Sequence, residues 1–256
     1  MTNNYSQEIE NLFAEWQALQ QKESNEEYLG APEIAKDSFT YDGIINPFEY
    51  AKQDTKYLFI SKESNIKNKN DPCPFRADGD IFWLRDVCFH KQEPSIFSNR
   101  LAMFANAIYS LDFERVNKCY DILNKVAFMN LNKRGGLSES RRETNTNKSK
   151  GKTNTHKSKG ETIPEYKEYY KEYTKKYACF IKREIDMIEP DIIICCGSGL
   201  KHLLEEIGVS SPKYTIIEVY HPSYWRISDK FHLERLKAAF DELSAEQKQL
   251  LSQNLR

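Results

Sequence analysis

The sequence has no long apolar run and no excess of charge of either sign. Its longest apolar runs are about strand length, well short of the roughly 20 residues of a membrane-spanning helix. It contains 37 lysines and arginines against 38 aspartates and glutamates, a net charge of −1. This balance excludes a uniformly basic nucleic-acid-binding protein but not a local basic patch. The N-terminal residues have neither the basic start nor the apolar core of a secretory signal, so we expect a cytoplasmic protein without membrane contact.

Closely spaced cysteines are also absent. The chain has six cysteines, none of them in a C-x-x-C pair, and the adjacent Cys195 and Cys196 lie in an apolar run. Zinc and iron–sulfur sites need closer pairing of their ligands. We therefore predict reduced, mostly buried cysteines, and neither a metal nor another cofactor.

The apolar periodicity predicts strands that alternate with helices. The predicted strands are at 57–60, 126–129, 191–196 and 214–220, and the predicted helices are at 5–22, 97–111, 165–189, 199–207 and 231–254. This order indicates an α/β fold with a central, largely parallel four-stranded sheet flanked by helices. At 256 residues, with 39% apolar residues, we expect one domain over 1–256. Its ends would be a helical N-terminal extension over 1–50 and C-terminal helices over 231–256.

One segment interrupts this pattern. Residues 138–162 contain no apolar residue and include a short duplication, TNTNKSKG followed by TNTHKSKG. Burial cannot offset the entropy cost of ordering such a stretch, so we predict a mobile basic insertion over 138–163. Two interpretations remain open: a solvated insertion without a role, or a basic arm that holds phosphates.

Polar side chains follow each predicted strand. Glu63, Asn130 and His221 come after the first, second and fourth strands. The carboxyl ends of parallel strands share one edge of the sheet, and ligands bind in the crevice there. A carboxylate, an amide and an imidazole in one crevice form a plausible hydrolytic set.

The order of these segments resembles the uracil-DNA glycosylase superfamily over roughly residues 55–230. The matching segments are Ser61-Lys62-Glu63-Ser64-Asn65, Pro74-Phe75, Asn130 with Lys133 and Arg134, Pro190-Asp191-Ile192-Ile193-Ile194-Cys195-Cys196-Gly197, and His221-Pro222-Ser223. The first segment lacks the family's Gly and Pro. The cysteines of the iron–sulfur branch are not matched apart from Cys179, so we expect no cluster.

The resemblance implies a DNA glycosylase that flips a base out of the duplex and hydrolyses its N-glycosidic bond, leaving an abasic site. Many uracil enzymes have a tyrosine where this chain has Asn65. The expected substrate is therefore uracil or, in preference, a modified or damaged pyrimidine. Uracil would indicate DNA repair, whereas a phage-modified cytosine would indicate antiviral defence. The expected partner is DNA, with no obligate protein partner.

The resemblance also implies residue roles. Glu63 would place the water and stabilise the sugar cation, and His221 would donate to the base oxygen, as the catalytic pair. Three residues would bind the base: Asn130 by its amide, Phe75 by stacking, and Asn65 at the ring. The expected DNA contacts are Lys62, Lys133, Arg134, Ser198, Ser223, Tyr224, Trp225 and Arg226, with Tyr224 and Trp225 in the wedge region.

Each role has a plainer structural alternative. Glu63 could pair with Lys62 on a loop, His221 could be satisfied within its turn, and Ser198 could be a helix N-cap. Asn130 could cap its strand, with Asn132 a competitor for either role, and Phe75 could be core. Tyr224 and Trp225 could pack on the C-terminal helices. Lys62 could form a Schiff base and cut the strand, but we expect a monofunctional enzyme. For the whole protein, the alternatives are a catalytically silent DNA-binding relative and an α/β hydrolase acting on nucleotides.

Overall fold

A computed structural model of the chain describes residues 2–22, 39–65, 95–136, 164–211 and 213–243. The predicted insertion at 138–163 lies outside the described residues, as does Phe75. Within the described residues, no helix is long and apolar enough to cross a membrane.

The described residues form an α/β fold around one five-stranded sheet. The strands are β1 (Gly43–Ile44), β2 (Tyr57–Asn65), β3 (Ala127–Gly136), β4 (Ile192–Cys196) and β5 (Thr215–Val219), in the spatial order β1-β3-β2-β4-β5. Strands β2 to β5 are the four predicted strands, and they are parallel. The prediction missed β1, which pairs antiparallel with β3 at the sheet edge, because two residues carry no periodicity.

Two of the strands are longer than predicted. Strand β2 runs to Asn65 and β3 runs to Gly136, so Glu63 and Asn130 lie within strands rather than in the loops after them. In the register of this pair, Ser61 is opposite Asn130 and Glu63 is opposite Asn132. Both strands continue past their apolar residues because backbone hydrogen bonds between strands form as readily at polar residues as at apolar ones.

Helices cover both faces of the sheet. They are α1 (Thr2–Gln21), α2 (Pro47–Tyr50), α3 (Ile96–Ser110), α4 (Pro164–Lys176), α5 (Ala178–Ile188), α6 (Leu200–Glu206) and α7 (Asp229–Asp241), with a 3₁₀ turn at Tyr120–Lys125. Helices α3 and α7 pack on the face that carries Phe59 and Ile194. Helices α1, α4, α5 and α6 pack on the opposite face. Alternation along the strands buries both faces, as in most parallel sheets.

Helix α1 is part of the core. Leu12 and Trp16 are 0% exposed, and the Trp16 ring stacks on Phe180 of α5 with centroids 5.4 Å apart. The single helix predicted over 165–189 is instead two helices, α4 and α5, that meet at Tyr177. Of the four cysteines described, Cys195 and Cys196 are buried and Cys119 and Cys179 are exposed.

The sheet has one point where its connections reverse direction. From β2 the chain passes to β3 on one side, and then returns past β2 to β4 and β5 on the other side. In open α/β sheets the crevice at such a switch point, outside the carboxyl ends of the strands, is where ligands bind. The fold therefore places the candidate site at the carboxyl ends of β2 and β4.

Candidate active site

Four polar or aromatic side chains lie on the α3 face of the sheet at its carboxyl edge. Ser61 and Asn130 follow Phe59 and Phe128 by two residues, so they face the same side. Phe97 of α3 contacts both the Phe128 ring and the His221 ring, with centroids 5.5 Å and 5.6 Å away. Asn130 and His221 are thus at the same edge and on the same face of the sheet, with Phe97 in contact with both Phe128 and His221. The structure describes only the backbone of Glu63.

His221 is held as a neutral hydrogen-bond donor. The amide nitrogen of Ser223 donates to Nδ1 of His221 at 3.1 Å. Since Nδ1 accepts, the proton of the neutral ring is on Nε2, which leaves Nε2–H as the donor. Burial, followed by the charge of Lys62, lowers the pKa of His221 to about 4. The ring is therefore uncharged at neutral pH and its tautomer is fixed.

Lys62 lies at the switch point. Its Cε is 3.9 Å from the position that a Cβ on Gly197 would occupy, directly after β4. Gly197 has a φ of 145°, a conformation that residues with a side chain rarely adopt. Among the side chains that the structure describes, no carboxylate forms an ion pair with Lys62. Its positive charge lies close enough to His221 to lower the pKa of that ring.

The loop that carries His221 is fixed by an arginine from α3. Arg100 donates through Nη1 to the carbonyl oxygens of Pro222 and Tyr224, at 2.9 Å and 2.7 Å, and through Nη2 to that of Ile227 at 3.0 Å. Arg100 is 8% exposed, so these are buried, charge-assisted bonds. Sequence reasoning missed Arg100. The available signal was an arginine directly before the apolar residues of an otherwise core-forming helix.

The same loop presents aromatic rings to solvent. Trp225 is 72% exposed and Tyr224 is 40% exposed, so neither is packed away against the C-terminal helix. The guanidinium of Arg226 is 5.7 Å from the Trp225 ring centroid, and that of Arg235 is 5.5 Å from the Tyr220 ring centroid. Exposed aromatic rings beside arginines suit stacking on bases and contact with phosphates.

Lys133 is not at the surface, which corrects its predicted role as a phosphate contact. Its side chain is 0% exposed, and its ammonium pairs with Asp42 and, at 2.8 Å, with Glu184 of α5. The same ammonium lies over the rings of Phe13 and Trp16. Burial raises the pKa of Glu184, opposed by the attraction of Lys133. Glu184 interrupts an apolar stripe in the sequence because it meets this buried lysine.

Asn130 is held by a second buried group. Its backbone nitrogen and its side-chain Nδ2 donate to Oδ2 of Asp42, at 2.7 Å and 3.1 Å. Asn130 is 3% exposed and its strand neighbour Asn132 is 2% exposed. Sequence reasoning missed Asp42, for which no pattern in the chain gives a signal.

The remaining predicted residues are placed as follows. Ser198 is exposed and comes before Gly199, the N-cap residue of α6, so it is not itself the cap. Ser223 acts through its backbone on His221. For Asn65 and Arg134 the structure describes the backbone alone, in β2 and β3. Their predicted side-chain contacts, like those of Glu63, fall outside what is described.

Comparison with known proteins adds no assignment. No protein-family model matches the chain, and no curated protein matches it significantly.

Proposed function

We propose that the protein is a monofunctional DNA glycosylase, which flips a base out of DNA and hydrolyses its N-glycosidic bond with water. The observation that carries the proposal is the fixed, neutral His221 at the carboxyl edge of the parallel sheet, next to the positive charge of Lys62. The alternative in which His221 is satisfied within its turn accounts for Nδ1 but gives Nε2 no acceptor among the described residues.

The chemistry explains why a neutral histidine suits this position. Cleavage of the bond leaves negative charge on the departing base and positive charge on the sugar. A donor aimed at the developing anion contributes on the order of 10²–10³ in rate. Neutral Nε2–H serves as that donor at all pH values above the histidine pKa, and the ammonium of Lys62 adds attraction for the same anion. Glu63 supplies the carboxylate for the water and the sugar cation.

The exposed surface of the loop supports DNA as the partner. Extruding a nucleotide costs a few kcal/mol, and side chains that fill the vacated space offset part of it. Tyr224 and Trp225 are the residues that we assign to this wedge, with Arg226 as a phosphate contact beside them. The proposed substrate is uracil or, in preference, a modified or damaged pyrimidine. The proposed location is the cytoplasm, and no obligate protein partner is needed.

The test is base release from a panel of DNA substrates. The panel contains uracil DNA, DNA with deaminated purines and phage DNA with modified cytosine, and the products are scored by abasic-site cleavage and mass spectrometry. We expect release of one base, with Glu63→Gln and His221→Gln each lowering the rate at least about 100-fold. Matched controls are Glu49→Gln and His202→Gln, which change a partly exposed carboxylate and an exposed imidazole, each in a surface ion pair, and should leave the rate unchanged.

Three other outcomes contradict the proposal in different ways. A folded protein that binds DNA but releases no base is the catalytically silent binder, for which the exposed Trp225 and Tyr224 are the supporting observation. Hydrolysis of free nucleotides indicates the α/β hydrolase. Trapping of a covalent protein–DNA adduct by borohydride, lost in Lys62→Gln, indicates a bifunctional enzyme that uses a Schiff base.

A further inference from the structure

Asp42 fixes one end of the Asn130 side chain. This carboxylate is 4% exposed, and its Oδ2 accepts from both the backbone nitrogen and Nδ2 of Asn130. Its other oxygen accepts from the ammonium of Lys133, which also donates to Glu184, a neighbour of Asp42 in the same buried cluster. A carboxylate in the ionised form only accepts hydrogen bonds. The NH₂ end of the Asn130 amide must therefore face Asp42, and the Oδ1 end must face away.

The orientation of this amide matters for base recognition. A side-chain amide presents one acceptor and one donor to a ligand, and a half-turn exchanges them. Uracil-type bases offer a ring N–H beside a carbonyl oxygen, whereas cytosine-type bases offer an unprotonated ring nitrogen beside an amino group. The two patterns are reversals of each other. An amide that is locked in one orientation pairs with one of these two base patterns and leaves its donor and acceptor unpaired with the other. Binding sites that hydrogen-bond their substrate discriminate strongly against a ligand that leaves buried polar groups unpaired.

We propose that Asp42 is a specificity-determining positioning residue, which locks the Asn130 amide in one orientation and so restricts excision to one of these two hydrogen-bond patterns. The inference rests on the proposed glycosylase function. It assigns to that site the selection between uracil-type pyrimidines, called keto-type here, and cytosine-type pyrimidines, called amino-type. Lys133 acts through Asp42, because its ammonium occupies the second carboxylate oxygen and holds the side chain in place.

The decisive variant is Asp42→Asn. The ammonium of Lys133 only donates, so it takes the carbonyl oxygen of the new amide and leaves its NH₂ group facing Asn130. The backbone N–H of Asn130 then loses its acceptor, and the Asn130 side chain is free to turn its own oxygen towards the new NH₂ group, so its orientation is no longer fixed. We expect the ratio of release rates for a matched keto-type and amino-type pair to fall at least about tenfold, with a slower rate on the preferred base and a faster rate on the other. The rates are measured in single turnovers on otherwise identical duplexes.

Two further variants separate positioning from stability. Glu184→Gln changes the same buried cluster but keeps the Asp42 carboxylate to which Asn130 donates, so it should lower the melting temperature while leaving the ratio unchanged. Asp42→Glu keeps a group that only accepts, and should retain the ratio even where its longer side chain slows both rates. Circular dichroism and thermal melting establish that each variant is folded.

The outcomes separate this inference from the proposed function. An active native protein whose ratio is unchanged in folded Asp42→Asn overturns the inference alone. A native protein that releases both base types at similar rates also overturns it, without any need for the variant to fold, and leaves the glycosylase function intact. A native protein that releases no base from either duplex overturns both.

Discussion

The guanidinium of Arg100 donates through Nε to Oδ1 of Asp229 at 2.8 Å. This hydrogen bond connects helix α3 to the start of helix α7. The loop of His221 lies beside this pair, and its carbonyl oxygens accept from the other two nitrogens of the same guanidinium. One side chain on α3 thus sets the position of a loop that lies more than 120 residues later in the sequence.

Arg100→Lys should loosen this loop. A lysine retains the charge but not the planar fork that reaches three carbonyl oxygens and a carboxylate at once. We expect a loss of about 2–3 kcal/mol in the free energy of unfolding, because buried carbonyl groups lose charge-assisted partners. Urea denaturation measures the loss, and hydrogen exchange of residues 221–229 should show faster opening.

Lys118→Met is the matched control for Arg100. Lys118 pairs with the other oxygen of Asp229 at 2.6 Å, but its side chain is 39% exposed. An exposed pair contributes at most about 1 kcal/mol. Equal losses in the two variants would show that the loop depends on the charge of Asp229 rather than on the fork of Arg100.

The depressed pKa of His221 has a consequence for stability in acid. The pKa is about 4 in the folded protein, against about 6.5 for an unperturbed histidine. Between these values the unfolded chain binds the proton and the folded protein does not, so stability falls as the pH is lowered from 6.5 to 4. The contribution reaches about 3 kcal/mol at the low end. Urea denaturation across this range should show a steeper pH dependence in the native protein than in His221→Gln.

The tautomer of His221 can be observed directly. Nitrogen-15 NMR of the imidazole should report a protonated Nε2 and an unprotonated Nδ1 at neutral pH, since the Ser223 amide occupies Nδ1. Lys62→Gln should raise the pKa of His221, because the nearby positive charge is removed. Lys62→Arg retains that charge and is the control. An Nδ1-protonated ring would contradict the donor role.

Lys133→Met should destabilise the fold without changing DNA affinity. The substitution leaves Asp42 and Glu184 buried without their common cation, which typically costs about 3–5 kcal/mol. If Lys133 instead contacted a phosphate, its substitution would weaken DNA binding and lower the salt dependence of that binding by about one counterion. Lys52→Met, which breaks an exposed pair with Glu49, should change stability by less than about 1 kcal/mol. A reduced salt dependence in folded Lys133→Met would restore the role first expected for this lysine.

The sequence by itself determined the layered α/β architecture. Strands β2 to β5 are parallel and are covered by helices on both faces, so their residues form continuous apolar runs. Such runs can be recognised in the sequence. Helices α1, α3 and α6 were located to within a few residues, since their apolar stripes have helical spacing. The start of α7 was located equally well, but the predicted helix over 231–254 extends 13 residues beyond the end of α7 at Asp241. The position of His221 at the carboxyl edge followed from the parallel order alone.

Only the tertiary structure decided which polar residues are available at that edge. Lys133 is buried in an ion cluster with Asp42, and Asn130 donates to the same Asp42. Asp42 belongs to a segment almost 90 residues earlier in the chain. Glu184, an apparent flaw in an apolar stripe, completes that cluster from α5. Arg100 reaches its loop across a similar separation. Buried polar groups must find partners, and those partners come from the fold rather than from neighbouring residues, so no local pattern in the sequence identifies them.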